Sequence, residues 1–305
     1  MKIEDPATYD PTPGDPVLLE PGVRRILAPN PSPMTHRGTN TYLVGEGDVA
    51  LIDPGPNDRA HLASILSSLR PGERITHIFV THSHLDHSGL AAPLARATGA
   101  PVLAFGASDA GRSPIMTELL KNGLDSGGEG SDRGFQPNET LADEEEVHGA
   151  DWSISALWTP GHFGNHMCFS FGSALFSGDH VMGWASTMVS PPDGDIAAFM
   201  ESTEMLSRRS DRIFYPGHGG PITSPVERAT ELVAHRRARE AQILQALADA
   251  PAGVSEITRR IYVDTPPQLL PAAQRNVFAH LIDLVSKSVV LASPNLSTQA
   301  KFSLR

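Results

Sequence analysis

A chain of 305 residues with 40% hydrophobic and 19% charged residues has the make-up of a folded protein, which excludes global disorder and predicts one large unit with a small appendage. Its net charge of -11 disfavours an extended polyanion as partner and favours a small-molecule substrate. The lone Cys168 allows no internal disulfide, no apolar run reaches the ~20 residues of a membrane span, and the first residues lack an apolar stretch behind a basic start, so a cytoplasmic protein without membrane contact is expected.

In chain order, residues 1–35 are proline-rich and mostly irregular, with an apolar piece at 23–27 that reads as an edge strand. Residues 41–44 and 49–52 are β-prone runs flanking a glycine-bearing turn, the pattern of a hairpin. A helix over 59–69 then leads into a strand over 75–80. Ser88 can cap the next helix, which Gly99 ends before a strand at 101–104, so the region is an α/β layer. Residues 106–149 are rich in glycine and acid and read as a long loop, a lid or a solvated insertion, with one amphipathic piece at 115–120. Short strands follow at 152–157, 166–171, 174–176 and 212–215. Beyond Pro225 the chain turns helical, with helices to about 249, over 255–262 and over 272–287, then a β-like 288–292. The expected division is 1–225 and 226–305.

The densest chemistry sits directly after the strand at 75–80, where Thr81-His82-Ser83-His84-Leu85-Asp86-His87 packs four potential metal ligands into six residues. An accidental HxHxDH is rare, on the order of one in a thousand chains of this composition. Neutral imidazoles and a carboxylate at this spacing can face two sides of a turn and feed two adjacent metals. Three later turns each place a glycine before a polar residue at a strand end: Gly161-His162, Gly178-Asp179 and Gly217-His218. Each alone is an ordinary structural turn; their joint occurrence after the first cluster carries the weight.

In this order, His82, His84, Asp86, His87, His162, Asp179 and His218 resemble the metallo-β-lactamase superfamily, over most of residues 20–225. The resemblance implies an αββα sandwich with two metals between its sheets. His82, His84 and His162 resemble the ligands of the first metal, Asp86, His87 and His218 those of the second, and Asp179 the carboxylate bridging both. Asp53 resembles a residue supporting the ligand loop, against the plainer reading of a helix cap or turn aspartate. The segments at 38–42 and 178–184 and the helical tail are similar to the lactamase-beta-like-protein-two group, which carries a small winged-helix domain after its catalytic domain. Phe163 departs from that pattern, in which Thr or Ser commonly follows the histidine.

The chemistry implied is hydrolytic. A cation pair about 3.5–4 Å apart lowers the pKa of a shared water toward ~7, making hydroxide available at neutral pH, and takes up charge that develops on the substrate. Two zinc ions per chain are the first expectation, with iron or manganese as alternatives for nitrogen and carboxylate ligands. Asp86 or Asp179 can serve as general base. His180 and Trp184 are expected in the cleft wall, His180 as a donor to the oxyanion, against an alternative of ordinary packing. An ester or thioester is the leading substrate class. A single-strand-specific endoribonuclease is the second, with Arg236, Arg237, Arg239, Arg259 and Arg260 as a basic rim or, more simply, a solvated helix face. A non-enzymatic DNA-binding regulator is the third, reading through residues 272–276, which offer one arginine. The tail is expected to cover the site or to mediate a homodimer.

Overall fold

The computed structural model describes residues 8–124 and 130–305. Its first sheet has seven strands in chain order: β1 (Val17–Glu20), β2 (Val23–Leu27), β3 (Asn40–Val44), β4 (Asp48–Ile52), β5 (Arg74–Phe79), β6 (Val102–Ala104) and β7 (Glu139–Thr140). The first four pair antiparallel, and β4 to β7 run parallel. Parallel neighbours need crossovers, and helices supply them. These are α1 (Arg59–Ser67), the single turn α2 (Leu85–Ser88), α3 (Ala91–Thr98) and α4 (Pro114–Lys121). The second sheet has the order β12-β11-β10-β9-β8, from β8 (Glu146–His148), β9 (Ser153–Trp158), β10 (Met167–Phe171), β11 (Ala174–Gly178) and β12 (Ile213–Pro216). Helix α5 (Ile196–Leu206) bridges its one parallel pair, β11 with β12.

The strand period of two sorts side chains into layers. Along β4, Ala50 and Ile52 point between the sheets, where they meet Phe169, Phe176 and Tyr215. Val49 and Leu51 point the other way, under Ile65 of α1 and Leu94 of α3. On the outer face of the second sheet, Leu157, Leu175 and Phe214 pack beneath Leu206 of α5 and Leu232 of the next helix. Two sheets face to face with helices outside both make the αββα sandwich.

The tail consists of α6 (Pro225–Ala248), β13 (Ala252–Gly253), α7 (Val254–Ile261), α8 (Leu270–Ser286), β14 (Val290–Ser293) and β15 (Lys301–Leu304), the strands forming a small sheet of order β13-β15-β14. Its core joins Ile243, Ile257, Val277, Phe278, Leu281 and Phe302 with Met116 and Leu119 of α4. None of the described helices is long and apolar enough to cross a membrane.

Several expectations need correction. The 23–27 run is no edge strand: β2 lies between β1 and β3 and is buried along its whole length. Ser88 caps no helix; it ends α2, and its hydroxyl donates to the His84 carbonyl. The described part of 106–149 is not one loop. It holds α4, capped by the Ser113 side chain with Pro114 in the first turn, and contributes β7 and β8 to the ends of the two sheets. Residues 125–129 of that stretch lie outside the described residues. Helix α5, with Asp195 as its cap, and strand β15 were not anticipated.

Candidate metal centre

Every residue of the cluster hangs from the end of a strand. Past β5 the chain runs extended through His82 to His84 and then winds into α2, so Asp86 and His87 are delivered by that single helical turn. His162 follows β9, Asp179 follows β11 and His218 follows β12. Glycine is needed where the backbone closes in. A Cβ on Gly161, at φ +144, would lie 2.3 Å from the Phe199 backbone, and one on Gly217 would lie 2.5 Å from Asp179 Oδ1.

The seven side chains converge as two groups, one of His82, His84, His162 and Asp179 and the other of Asp86, His87 and His218, each with its ligand atoms within 4.8 Å of one another. Asp179 reaches both groups. Its Oδ2 lies 3.7 Å from His162 Nε2 and 3.4 Å from His218 Nε2, and its Oδ1 lies 3.4 Å from His87 Nε2.

Whether these residues fit a cation is decided by where the imidazole protons sit. His162 Nδ1 donates to the Met188 carbonyl at 2.7 Å, His218 Nδ1 to the Gly38 carbonyl at 3.1 Å and His87 Nδ1 to Asp53 Oδ2 at 2.8 Å. The Thr81 hydroxyl donates to Asp53 Oδ2 at 2.8 Å, so it is left to accept from His82 Nδ1 at 3.0 Å. Each of these four rings thus turns its Nδ1 outward and its Nε2 inward, and His82 and His162, which burial keeps neutral, present lone pairs there. His84 Nδ1 faces two such lone pairs, His82 Nε2 at 2.8 Å and His162 Nε2 at 3.1 Å, and a single proton cannot serve both. His87 Nε2 and His218 Nε2 oppose each other at 3.3 Å. The buried Oδ1 of Asp179 has no hydrogen-bond partner among the described residues. Converging lone pairs and a carboxylate oxygen without a donor form a donor set suited to divalent cations.

The electrostatics agree. Burial and the neighbouring His162 push His84 down to about 3, and burial likewise lowers His82 and His162, so this half of the cluster is neutral and ready to ligate. Burial opposes charge on His87 and His218 as well, but the carboxylates outweigh it. Asp179, Asp86 and Asp53 lift His87, while Asp179 and Asp86 raise His218 to about 10. Asp86 and Asp179 are held below the ordinary carboxylate range despite burial, His87 leading for Asp86 and His218 for Asp179. The carboxylates therefore demand positive charge at this spot.

Residues 34–218 match the metallo-β-lactamase superfamily, and residues 254–293 match the β-lactamase-associated winged helix domain. The chain belongs to the metallo-β-lactamase superfamily. The β-lactamase-like protein 2 homolog of Drosophila melanogaster is 33% identical over 280 residues, 87% of this chain and 88% of its own length. An atrochrysone carboxyl ACP thioesterase of Passalora fulva is 31% identical over 75% of this chain and 63% of its own length. The crystal structure of a β-lactamase domain protein from Burkholderia ambifaria superposes with a TM-score of 0.79 at 20% identity, over 97% of this chain and 96% of that one. The protein is accordingly a hydrolase of that superfamily, with its winged-helix unit in the tail.

Within this frame the remaining site residues find their places. Asp53 is no helix cap, since Asp58 caps α1. It sits at φ +53 after β4 and accepts from the Thr81 amide at 2.7 Å, the Thr81 hydroxyl and His87. His180 does not line the cleft. It is fully buried, its Nε2 lies 3.0 Å from Thr203 Oγ1 and its ring stacks on Phe199 at 4.6 Å, because α5 covers the strand end from which it projects. Burial drives it down to about 3. Trp184 stacks on His36 at 4.8 Å and lies against Gly219, beside His218. Phe163 is buried with its ring edge-on to His84 at 5.0 Å, so the departing residue becomes part of the wall behind two imidazoles. His166 is not among the converging ligands; its Nε2 accepts from the Asp179 amide at 3.2 Å.

Sequence reasoning missed a supporting set. Met188 holds His162, and Thr187 Oγ1 donates to the Asp179 carbonyl at 2.7 Å. Arg236 of α6 is fully buried, donates to the Thr187 carbonyl and to Asn276 Oδ1, and lies over the Phe199 ring at 5.1 Å. Asn276 of α8 in turn accepts from the Val189 amide at 3.1 Å. The tail thereby grips the loop that orients His162.

Proposed function

We propose that the protein is a dinuclear, zinc-dependent hydrolase of esters or thioesters. The observation that carries the reading is the set of imidazole Nε2 atoms turned inward around Asp179, each ring fixed by an acceptor on its Nδ1 side. His82, His84 and His162 would hold one cation and Asp86, His87 and His218 the other, with Asp179 shared between them. The cations supply Lewis acidity and ionise water near neutral pH. Both carboxylates face His87 and His218, but the Asp86 side chain is 26% exposed against 9% for Asp179, so Asp86 is the better placed to take the proton of the attacking water.

Three observations support an acyl substrate. Relatives named as acyl-carrier thioesterases cover most of this chain. Apolar side chains are exposed close in sequence to the site residues: Leu85, directly after His84, is 48% exposed and Met34 is 42% exposed, two residues before the His36 that stacks on Trp184. Of the basic rim that RNA would need, Arg259 is exposed and the other four arginines have partners in the fold. Arg236 is buried, Arg237 pairs with Glu204 at 2.7 Å, Arg260 pairs with Glu256 at 2.6 Å, and Arg239 lies over Tyr262. Within 272–276, Asn276 is engaged with Val189 and Arg236, which takes one polar side chain of that segment away from DNA.

The test is turnover of a panel of acyl thioesters, lactones and a fluorescent single-stranded RNA, before and after chelation and after zinc is restored. Metal-dependent thioester or ester turnover with inert RNA is expected. Cleavage of RNA alone would overturn the substrate assignment, and undiminished turnover after chelation would overturn the metal.

A further inference from the structure

Away from the metals, a cavity of about 580 Å³ opens between α4, α7, α8 and the turn before β15. Its volume lies within the ~300–1,000 Å³ typical of small-molecule sites. Leu119, Leu124, Val254 and Phe278 give it an apolar floor, while amides and hydroxyls, among them Asn122, Gln274 and Ser297, ring it. Among the described residues of the lining Arg275 is the charged one, in a protein whose net charge is -11. Its guanidinium spends Nη1 on Ser190 Oγ at 3.0 Å and forms no ion pair with a described carboxylate, so it keeps donors for an anion.

The cavity shares a wall with the catalytic cleft. Pro191 lines it, Ser190 is tied to Arg275, and Met188 in the same segment holds His162. Three residues of chain span at most about 11 Å, so one strip of backbone has the carbonyl that orients His162 at one end and the cavity at the other.

We infer that this cavity binds the thiol carrier of a thioester substrate, an amide-rich arm bearing a phosphate that Arg275 receives. The inference rests on the thioesterase reading of the metal centre and adds to it a recognition site outside the cleft. An amide chain suits the Asn and Gln side chains, the apolar floor takes its methylenes, and a phosphate suits an arginine without a carboxylate partner.

Two measurements on the full-length, metal-loaded protein test it. The first is calorimetric binding of desulfo-coenzyme A, which lacks the thiol and so has no sulfur to offer the metals. Binding is expected, weakened about tenfold in Arg275→Gln and in Asn122→Trp, a bulky residue placed at the exposed rim. The second is kcat/KM for one acyl group carried on coenzyme A, on 4′-phosphopantetheine, on an acyl carrier protein and on N-acetylcysteamine, which lacks the phosphate. The phosphorylated carriers should be favoured at least about tenfold over N-acetylcysteamine, with both variants erasing that preference. The carrier turned over fastest tells a free coenzyme from a protein-borne arm. Absence of desulfo-coenzyme A binding, or a preference that survives both variants, overturns the cavity assignment even if short thioesters are hydrolysed. Binding without turnover of any thioester would uphold the cavity as a phosphate-carrier site and overturn the thioesterase reading instead.

Discussion

Asp53 Oδ2 lies 2.8 Å from His87 Nδ1, and the same carboxylate receives both the amide and the hydroxyl of Thr81. One side chain at the end of β4 therefore sets the ring orientation of His87 directly and that of His82 through Thr81. Its backbone, at φ +53, is in the left-handed region that asparagine also tolerates. Asp53→Asn should keep the turn while lowering zinc affinity by about 10–100-fold, the usual cost of removing such a support. Competition with a chromophoric chelator measures this; unchanged affinity would show that Asp53 only shapes the turn.

Gly217 offers a steric test. A methyl group there would meet Asp179 Oδ1 at 2.5 Å and His87 Cε1 at 2.6 Å, and both atoms belong to the donor set. Gly217→Ala should reduce bound metal below two ions per chain and abolish turnover while far-ultraviolet circular dichroism stays native. Full metal content in that variant would mean the two groups are slack enough to move apart.

For His180, packing and chemistry predict different outcomes. Buried against Phe199 and bonded to Thr203, it should act on stability and not on rate. His180→Phe is expected to lower the thermal midpoint and leave kcat nearly unchanged. A loss of ~10²-fold in kcat, the size seen when an oxyanion donor is removed, would return it to the chemistry.

Acid sensitivity should arise in part from His280. Its ring is 2% exposed, neither nitrogen has a partner among the described residues, and burial with nearby Arg236 and Arg239 drives its pKa to about 3. The unfolded chain takes up the proton near 6.5 and the folded chain only near 3, so stability is full above pH 6.5 and is lost as pH falls toward 3. His280→Leu should remove that slope. Urea midpoints at pH 7.5 and 5.0 are expected to separate less in the variant, by about 2 kcal/mol of unfolding free energy. An equal acid loss in both proteins would exclude His280 as a source.

The metal cluster was legible because its first four members fall within six residues and the others each follow a glycine at a strand end, so composition and turn chemistry carried the signal. The same logic failed for His180, where adjacency to Asp179 suggested the cleft but α5 closes over it. Helix α5 itself carried a cap signal in Asp195. Its buried residues, Ile196, Phe199, Ser202, Thr203 and Leu206, share one face, but two of them are polar, so the apolar stripe is broken. Strands β7 and β8 are two and three residues long, too short for any period. Arg236 was unreadable for another reason. A charged residue in a helix ordinarily faces water, and only the assembled tail reveals that this one is enclosed beside the Thr187 carbonyl.

Helix α4 is encoded within the sandwich, yet Met116 and Leu119 are buried among the helices that follow Pro225. Cutting the chain after residue 225 would bare an oily scar on the remaining body, and deleting the 106–149 stretch would hollow out the tail. Evolution cannot readily shuffle either part alone. The two halves are best regarded as interlocked, with the winged-helix unit a fixture of the enzyme and not a detachable accessory.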